Sequence, residues 1–385
     1  MTDPLGAAPG GAGTDALGAV APHGNDEPVA PLVALPSAPT ALSPTRLRSW
    51  QVVLGIVFLL AAATASVVVG PAGLPAAAVL EEIASRIVPW HLHPGLSATG
   101  AVVVWQLRLP RVTLGVLVGA MLSLAGASYQ GVFANPLADP YLLGVASGAG
   151  LGATVAVVDA AQLQHLPFDP VPVAAFLGAA VAVAATLALG RSRRAASAPV
   201  PLLLAGVAVG SFFTAVQTFL QQRNAPDLEV VYSWILGGLA TAGWSQVLMI
   251  LPYVGVSAAV LLSTRRLLDA LSVGDDESTA IGVRAARVRL IVILAATLGT
   301  AAAVAVSGLI GFVGIIVPHA VRLVFGPSYR RILPLAILFG GGFLVLADLL
   351  ARVVLSPAEI PLGVVTAALG APFFLVVLRQ SRRSF

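Results

Sequence analysis

The sequence predicts an all-α, polytopic membrane protein with about ten transmembrane helices. Three observations carry that expectation. Of 385 residues, 58% are hydrophobic and 10% charged, against roughly 25% charged in a soluble domain whose surface must be wetted. Apolar runs recur along most of the chain, most of them near the roughly 20 residues that cross a bilayer. Arginines gather in alternate connections between the runs, the asymmetry that orients membrane helices.

Residues 1–45 are rich in Ala, Pro and Gly, with neither helical nor strand periodicity. They read as a disordered cytoplasmic tail. A basic segment feeding directly into an apolar core, the mark of a signal peptide, is missing there. Residues 46–385 read as the transmembrane domain. Arg46 and Arg48 precede span 1 (51–70) and place the N-terminus in the cytoplasm. A polar outer stretch, 71–107, holds Glu81, Glu82, His91 and His93. Span 2 (109–131) descends to a turn at 135–140. Span 3 (141–158) rises, and span 4 (172–190) returns to Arg191, Arg193 and Arg194. Span 5 (199–221) rises to Arg223, Asp227 and Glu229, and span 6 (231–262) descends to a long polar loop, 263–286. Spans 7 (287–306) and 8 (311–325) lead to Arg330 and Arg331; spans 9 (333–353) and 10 (363–378) end before Arg379, Arg382 and Arg383. Both termini then lie inside. In this topology 16 arginines face the cytoplasm and five face outward: Arg86, Arg108, Arg111, Arg223 and Arg352. An odd number of spans scrambles the bias.

Composition also excludes chemistry. All 21 basic residues are arginine. A Walker A site needs a lysine after its glycine-rich turn, so any ATPase driving transport is a separate chain. With no cysteine, disulfides, thiolate metal sites and cysteine nucleophiles are absent. His91, His93 and His165 fall on the outer side, where His-x-His beside Glu81 and Glu82 could touch iron or haem. A satisfied loop histidine is the commoner case, and His319 reads as structural. No metal site and no cofactor is assigned, and no nucleic-acid partner is expected.

Four segments place polar residues where a plain anchor needs none. Trp105-Gln-Leu-Arg108-Leu-Pro-Arg111 sets two arginines three apart on one helix face, pointing into the outer water; alone it reads as interfacial snorkelling. In Asn135-Pro136-Leu137-Ala138-Asp139-Pro140, the prolines Pro136 and Pro140 stop one helix and start the next, with Asn135 and Asp139 available as caps. In Gly308-Leu-Ile-Gly311-Phe-Val-Gly314-Ile-Ile-Val-Pro318-His319-Ala-Val-Arg322, Pro318 is expected to kink or break a span. Asp348 and Arg352 pair at i,i+4, which lowers the cost of an acid near the membrane edge; Glu359-Ile-Pro-Leu-Gly363 and Gly370-Ala-Pro-Phe-Phe follow. Most of the many glycines read as close-packing positions between helices.

Taken together and in order, these segments resemble those of the FecCD/BtuC-type permeases of ABC importers for iron-siderophore complexes, haem and cobalamin, over about residues 50–380. The resemblance implies a type II importer permease that catalyses no covalent chemistry. It implies a homodimer in the bacterial inner membrane, joined by two ABC ATPase subunits and one periplasmic or lipid-anchored substrate-binding protein. Arg108, Arg111 and Arg352 match the outward arginines that receive glutamates of the binding protein. The loop stretch Leu271-Ser-Val-Gly274-Asp275-Asp276-Glu277-Ser-Thr-Ala280-Ile-Gly282 matches the family's coupling segment, two short helices seated in a groove of the ATPase. From chemistry alone it is a helix with acids in its first turn and a closing glycine, as readily a capped, solvated loop helix as a docking one. Asn135 and Leu137 match an inner gate; where relatives have small hydroxyl residues at its second element, this chain has Ala198-Pro-Val-Pro201. The expected cargo is an iron chelate, moved by alternating access, with cobalamin as the alternative. An ion-driven secondary transporter, the rival of another class, calls for ionisable groups at mid-membrane, and these spans are nearly free of them. A non-transporting scaffold needs neither the proline turns nor an acidic loop.

Overall fold

The computed structural model describes residues 46–87, 95–163, 165–190 and 199–381. The tail 1–45, His91, His93 and Ala198 lie outside the described residues.

Among those described, all regular structure is helical; besides the short turns Ala160–Leu163 and Ala225–Asp227 it comprises α1 (Ser49–Val68), α2 (Ala76–Ile87), α3 (Ala98–Val132), α4 (Val145–Val158), α5 (Pro170–Gly190), α6 (Pro199–Arg223), α7 (Leu228–Ile235), α8 (Trp244–Leu271), α9 (Asp275–Ala280), α10 (Ala285–Ser307), α11 (Val313–Phe325), α12 (Tyr329–Val353) and α13 (Leu362–Ser381). Seven are long and apolar enough to cross a membrane, and three shorter apolar helices, Val145–Val158, Val313–Phe325 and Leu362–Val377, accompany them. Nine of the ten expected spans each fall on one of these helices; the exception is span 6.

α3 is the hub. The most apolar window of α3 is 83% buried, against 17% for that of α6. It packs on α8, α10, α11 and α12. Two glycines make this possible: a Cβ at Gly119 would strike the carbonyl oxygen of Gly340 in α12, and one at Gly126 the backbone of Gly314 in α11. In lipid the apolar effect between helices fades, so such backbone contact carries the packing. The buried Tyr129 Oη meets Thr297 Oγ1 at 2.7 Å.

The structure corrects several boundaries. The expected outer stretch 71–107 contains α2, and α3 starts at Ala98, not near 109. A π-helical turn at Val103–Arg108 absorbs Pro110, which cannot donate a hydrogen bond, and Leu109 N–H reaches back five residues to Val104 O. The expected span 6 is two helices, α7 and α8, and α8 runs on to Leu271. Little of the loop 263–286 therefore remains as loop. Pro318 breaks nothing: it sits inside α11. The interruption comes earlier, at 308–312, where Gly308 (φ +65°) and Phe312 (φ +69°) leave the helical region.

Candidate functional site

Polar chemistry concentrates at the two ends of the bundle and along one groove. At one end, α3 and α12 bring together Arg108, Arg111, Asp348 and Arg352, and the α12–α13 connection adds Glu359. Asp348, 2% exposed, accepts from Arg111 Nε (3.1 Å to each oxygen), Arg111 Nη2 (2.9 Å) and Arg352 Nε (3.0 Å). Arg111 also grips Glu359, Nη1 to Oε1 at 2.9 Å and Nη2 to Oε2 at 2.8 Å. Those bonds to Arg111 hold the Glu359 carboxyl below its usual range. Arg352 Nη2 donates to Ser66 O (3.1 Å) and Ser66 Oγ (2.6 Å). Arg108 Nη1 donates to Val67 O (2.8 Å) and Val68 O (2.9 Å), capping the carbonyls that end α1.

The sequence reading had these arginines pointing freely into water, and here the structure corrects it. Arg108 and Arg352 are 5% and 4% exposed. A guanidinium among helix ends is costly unless its donors are taken up: Asp348 and Ser66 take up Arg352, and the α1 carbonyls take up Arg108 Nη1, while Arg108 Nη2 is buried without a hydrogen-bond partner among the described residues. Arg111 is the most accessible of the three, its side chain 13% exposed. Glu359 and Ser66 were missed as members: Glu359 lies 248 residues from Arg111 in sequence, and no local period links them.

At the opposite end, the chain between α3 and α4 is stiffened by its own side chains. Asn135 Oδ1 accepts from Leu137 N–H (2.9 Å) and Asp139 Oδ1 from Tyr141 N–H (2.7 Å). These are Asx turns; neither residue caps α4, which starts after Gly144 at φ +84°. Pro136 and Pro140 stand in this non-helical segment, but Pro140 does not open the next helix, which begins at Val145; Asn135 and Leu137 are exposed at the segment's tip. Tyr141 reaches the interruption at 308–312: its hydroxyl donates to Ile310 O (3.0 Å) and accepts from Ile310 N–H (3.1 Å). Irregular backbone inside a membrane protein needs such partners.

On the same side α9 carries Asp275, Asp276 and Glu277 in its first turn, where the helix dipole favours acids. Gly274 (φ +132°) opens it. Gly282 (φ +84°) closes it, with Gly282 N–H on Thr279 O and Val283 N–H on Ser278 O, both 2.9 Å. Arg289 of α10 clamps Asp275, Nη1 to Oδ2 at 2.9 Å and Nη2 to Oδ1 at 2.6 Å. Val273, Asp276, Glu277, Ala280 and Ile281 are exposed. Two expectations change. Leu271 is buried as the last residue of α8, and the segment holds one short helix rather than two.

The uncovered surface of α6 is mixed: Leu204, Val207, Phe212 and Phe219 are exposed, and a stripe of hydroxyls stands among them. Ser211, Thr214 and Thr218, spaced to fall on one side of the helix, line a groove of about 1010 Å3 with Gln217, Gln221 and Ser147. His165 is exposed in a turn, and among the described residues no three His, Asp or Glu groups stand close enough to hold a metal.

This geometry has counterparts. The sequence profile of the FecCD transport family matches residues 52–380. The chain belongs to the FecCD transport family. It is 41% identical over 281 residues (73% of this chain, 80% of the relative) to an uncharacterized ABC transporter permease protein, YvrB, of Bacillus subtilis. It is 42% identical over 289 residues (75% and 76%) to the cobalamin import system permease protein BtuC of Halobacterium salinarum. It is 34% identical over 333 residues (86% and 83%) to the iron(3+)-hydroxamate import system permease protein FhuB of B. subtilis. A solved inward-facing ABC transporter described as of metal-chelate type superposes with a TM-score of 0.73 at 30% identity, covering 86% of this chain and 98% of that one. As a member of the family, this chain is a multi-pass membrane permease, the pore-forming subunit of an ABC importer whose ATP hydrolysis resides in separate subunits.

Proposed function

We propose that two copies of this permease enclose a path for a bulky metal chelate and expose it to each side of the inner membrane in turn. The observation that carries the reading is the polar stripe of α6. α6, whose apolar window is only 17% buried, shows lipid an apolar surface at Leu204, Phe212 and Phe219, but Ser211, Thr214 and Thr218 also stand open beside Gln217 and Gln221. Polar side chains at membrane depth belong against water or protein. A second copy facing the groove supplies both, and neutral hydroxyls and amides suit a cargo whose metal is already wrapped by its own ligands.

The arginine bias sets both termini in the cytoplasm, so the Arg111 end faces outward and α9 inward. Arg111 then receives a carboxylate of the substrate-binding protein, with Arg108 and Arg352 acting from beneath it through their field. Exposed Asp276 and Glu277, flanked by Val273 and Ile281, enter a groove on each of two ATPases; Gly274 and Gly282 set the helix at its angle, and Leu271 anchors it to the bundle. Asn135 and Leu137 close the inner mouth. When ATP draws the two ATPases together, α9 moves with them and the shared path changes its open end.

An iron chelate is favoured by the breadth of the iron branch among permeases that share these motifs and is supported by the 34% identity to FhuB; the 42% identity to a cobalamin permease speaks for cobalamin. Competitive uptake of a labelled ferric siderophore and labelled cobalamin separates them. The dimer has its own test. The chain has no cysteine, so Thr214→Cys introduces a single thiol, and a short bifunctional maleimide should join two copies and stop uptake. Purely monomeric protein with full uptake after treatment sinks the shared path.

A further inference from the structure

We propose that Glu359 stands in, within the undocked permease, for the carboxylate that a docking partner brings to Arg111, and that docking proceeds by exchanging one for the other. The inference rests on the reading of Arg111 as a docking residue and goes beyond it.

The geometry leaves little choice. A guanidinium offers a fixed fork of five donors. In Arg111, Nε and Nη2 are on Asp348, and Nη1 and Nη2 on Glu359. An arriving carboxylate meets no open two-pronged face, so one resident acid must leave. Asp348 is held in addition by Arg352 and is 2% exposed. The Glu359 side chain is 36% exposed, and it belongs to the connection 354–361 rather than to a helix. Exchange of one carboxylate for another conserves the charge of the cluster, so the resident acid tunes affinity without forbidding docking.

The exchange also has somewhere to go. Ile360 N–H binds Ala351 O, Leu362 N–H binds Gly237 O and Gly363 N–H binds Leu236 O, each at 3.0 Å. Leu236 and Gly237 directly follow α7, whose Glu229, Ser233 and Trp234 line a cavity of about 480 Å3. The connection is therefore a strap from the Arg111 cluster to the mouth of that cavity. Freeing Glu359 removes the clasp at one end of the strap, which gives docking a mechanical route to α7.

A purely structural Glu359 and a stand-in Glu359 predict opposite effects. If the carboxylate only organised the cluster, its loss would disorder the rim and weaken docking. If it competes, its loss leaves Arg111 open, and the apparent affinity rises by the inverse of the fraction previously open. The experiment uses the permease with its ATPases in nanodiscs and the transporter's purified substrate-binding protein, comparing wild type, Glu359→Gln, Glu359→Asp and Arg111→Ala. Glu359→Gln should bind about tenfold more tightly, as expected for losing a two-bond, charge-assisted competitor. Glu359→Asp, which keeps the charge at shorter reach, should fall between it and wild type. Arg111→Ala should bind more weakly than wild type. Co-elution of each variant with the ATPases reports that it folds. Unchanged or weaker binding by Glu359→Gln, with Arg111→Ala impaired, overturns the stand-in and leaves the docking reading intact. Undiminished binding by Arg111→Ala overturns the docking reading, and the stand-in with it.

Discussion

Asp348 is the residue whose removal should hurt the free permease most. It is a 2%-exposed carboxylate accepting from Arg111 at 3.1, 3.1 and 2.9 Å and from Arg352 at 3.0 Å. At about 1.5–3 kcal/mol for a hydrogen bond to a charged group, a simple sum overshoots, because these bonds share two oxygens and one of them is bifurcated. The better guide is the cost of leaving a buried cation without its counter-ion, about 3–5 kcal/mol. Asp348→Leu takes one negative charge from a cluster of three guanidiniums and two carboxylates, and Arg352 loses its only acid contact among the described residues. We expect a loss of about 3–5 kcal/mol in unfolding free energy, read by denaturant titration of the permease in lipid nanodiscs with tryptophan fluorescence. The double variant Asp348→Leu/Arg352→Leu should recover roughly half of that loss, since replacing both members of a buried pair with apolar groups is often near neutral. A single-variant loss below about 1 kcal/mol, or no recovery in the double variant, refutes the reasoning that the cluster is a mutually dependent buried network.

Other parts of the structure make separate predictions. Tyr141→Phe strips both partners from Ile310 in the interruption; about 2–3 kcal/mol of local stability should go, seen as faster hydrogen exchange at 308–312 and contradicted by an unchanged rate. Arg289→Ala releases Asp275, a pair partly exposed at 15% and 36%, worth about 0.5–1 kcal/mol. Exchange at 275–280 should quicken and more ATP should be hydrolysed per solute moved, whereas intact coupling would separate α9 from the transmission of force. Glu359 gives a pH signature. Its carboxyl is held below the usual range, so its stabilising contribution is present above the ordinary glutamate value of roughly 4.3 and drains away as pH falls through the lowered one. The stability difference between wild type and Glu359→Gln should therefore be full at neutral pH and vanish in strong acid; a difference that grows with acid reverses the sign of the argument.

What was legible in the sequence follows from the range of the forces involved. Spans show because lipid demands an unbroken apolar stretch; only span 6 proved to be two helices, α7 and α8. Caps and turns of short range were legible too: the acids and Gly282 of α9 took up the places their dipole and φ preferences assign. Errors came where a local rule met a distant partner. Pro318 looks like a break, but α11 runs through it and the Gly314 carbonyl it leaves without a helical donor accepts from Gln130 Nε2 at 3.3 Å, while Gly308 and Phe312 do the breaking because Tyr141 is there to satisfy Ile310. Asn135 and Asp139 looked like helix caps and bind their own backbone two residues on. Arg108 and Arg352 looked exposed because charge near a span end usually snorkels outward; only the tertiary arrival of Ser66 and the α1 carbonyls turns them inward. No motif links Glu359 to Arg111, so that contact was beyond reach.

The measurement that bears most directly on the whole account is uptake by proteoliposomes holding the permease, with or without its ATPase subunits, and the substrate-binding protein supplied on the side facing Arg111. Metal-chelate accumulation that requires ATP and the ATPase subunits, and that ignores imposed proton or sodium gradients, is the predicted result. Accumulation driven by an ion gradient with the ATPases left out would contradict it.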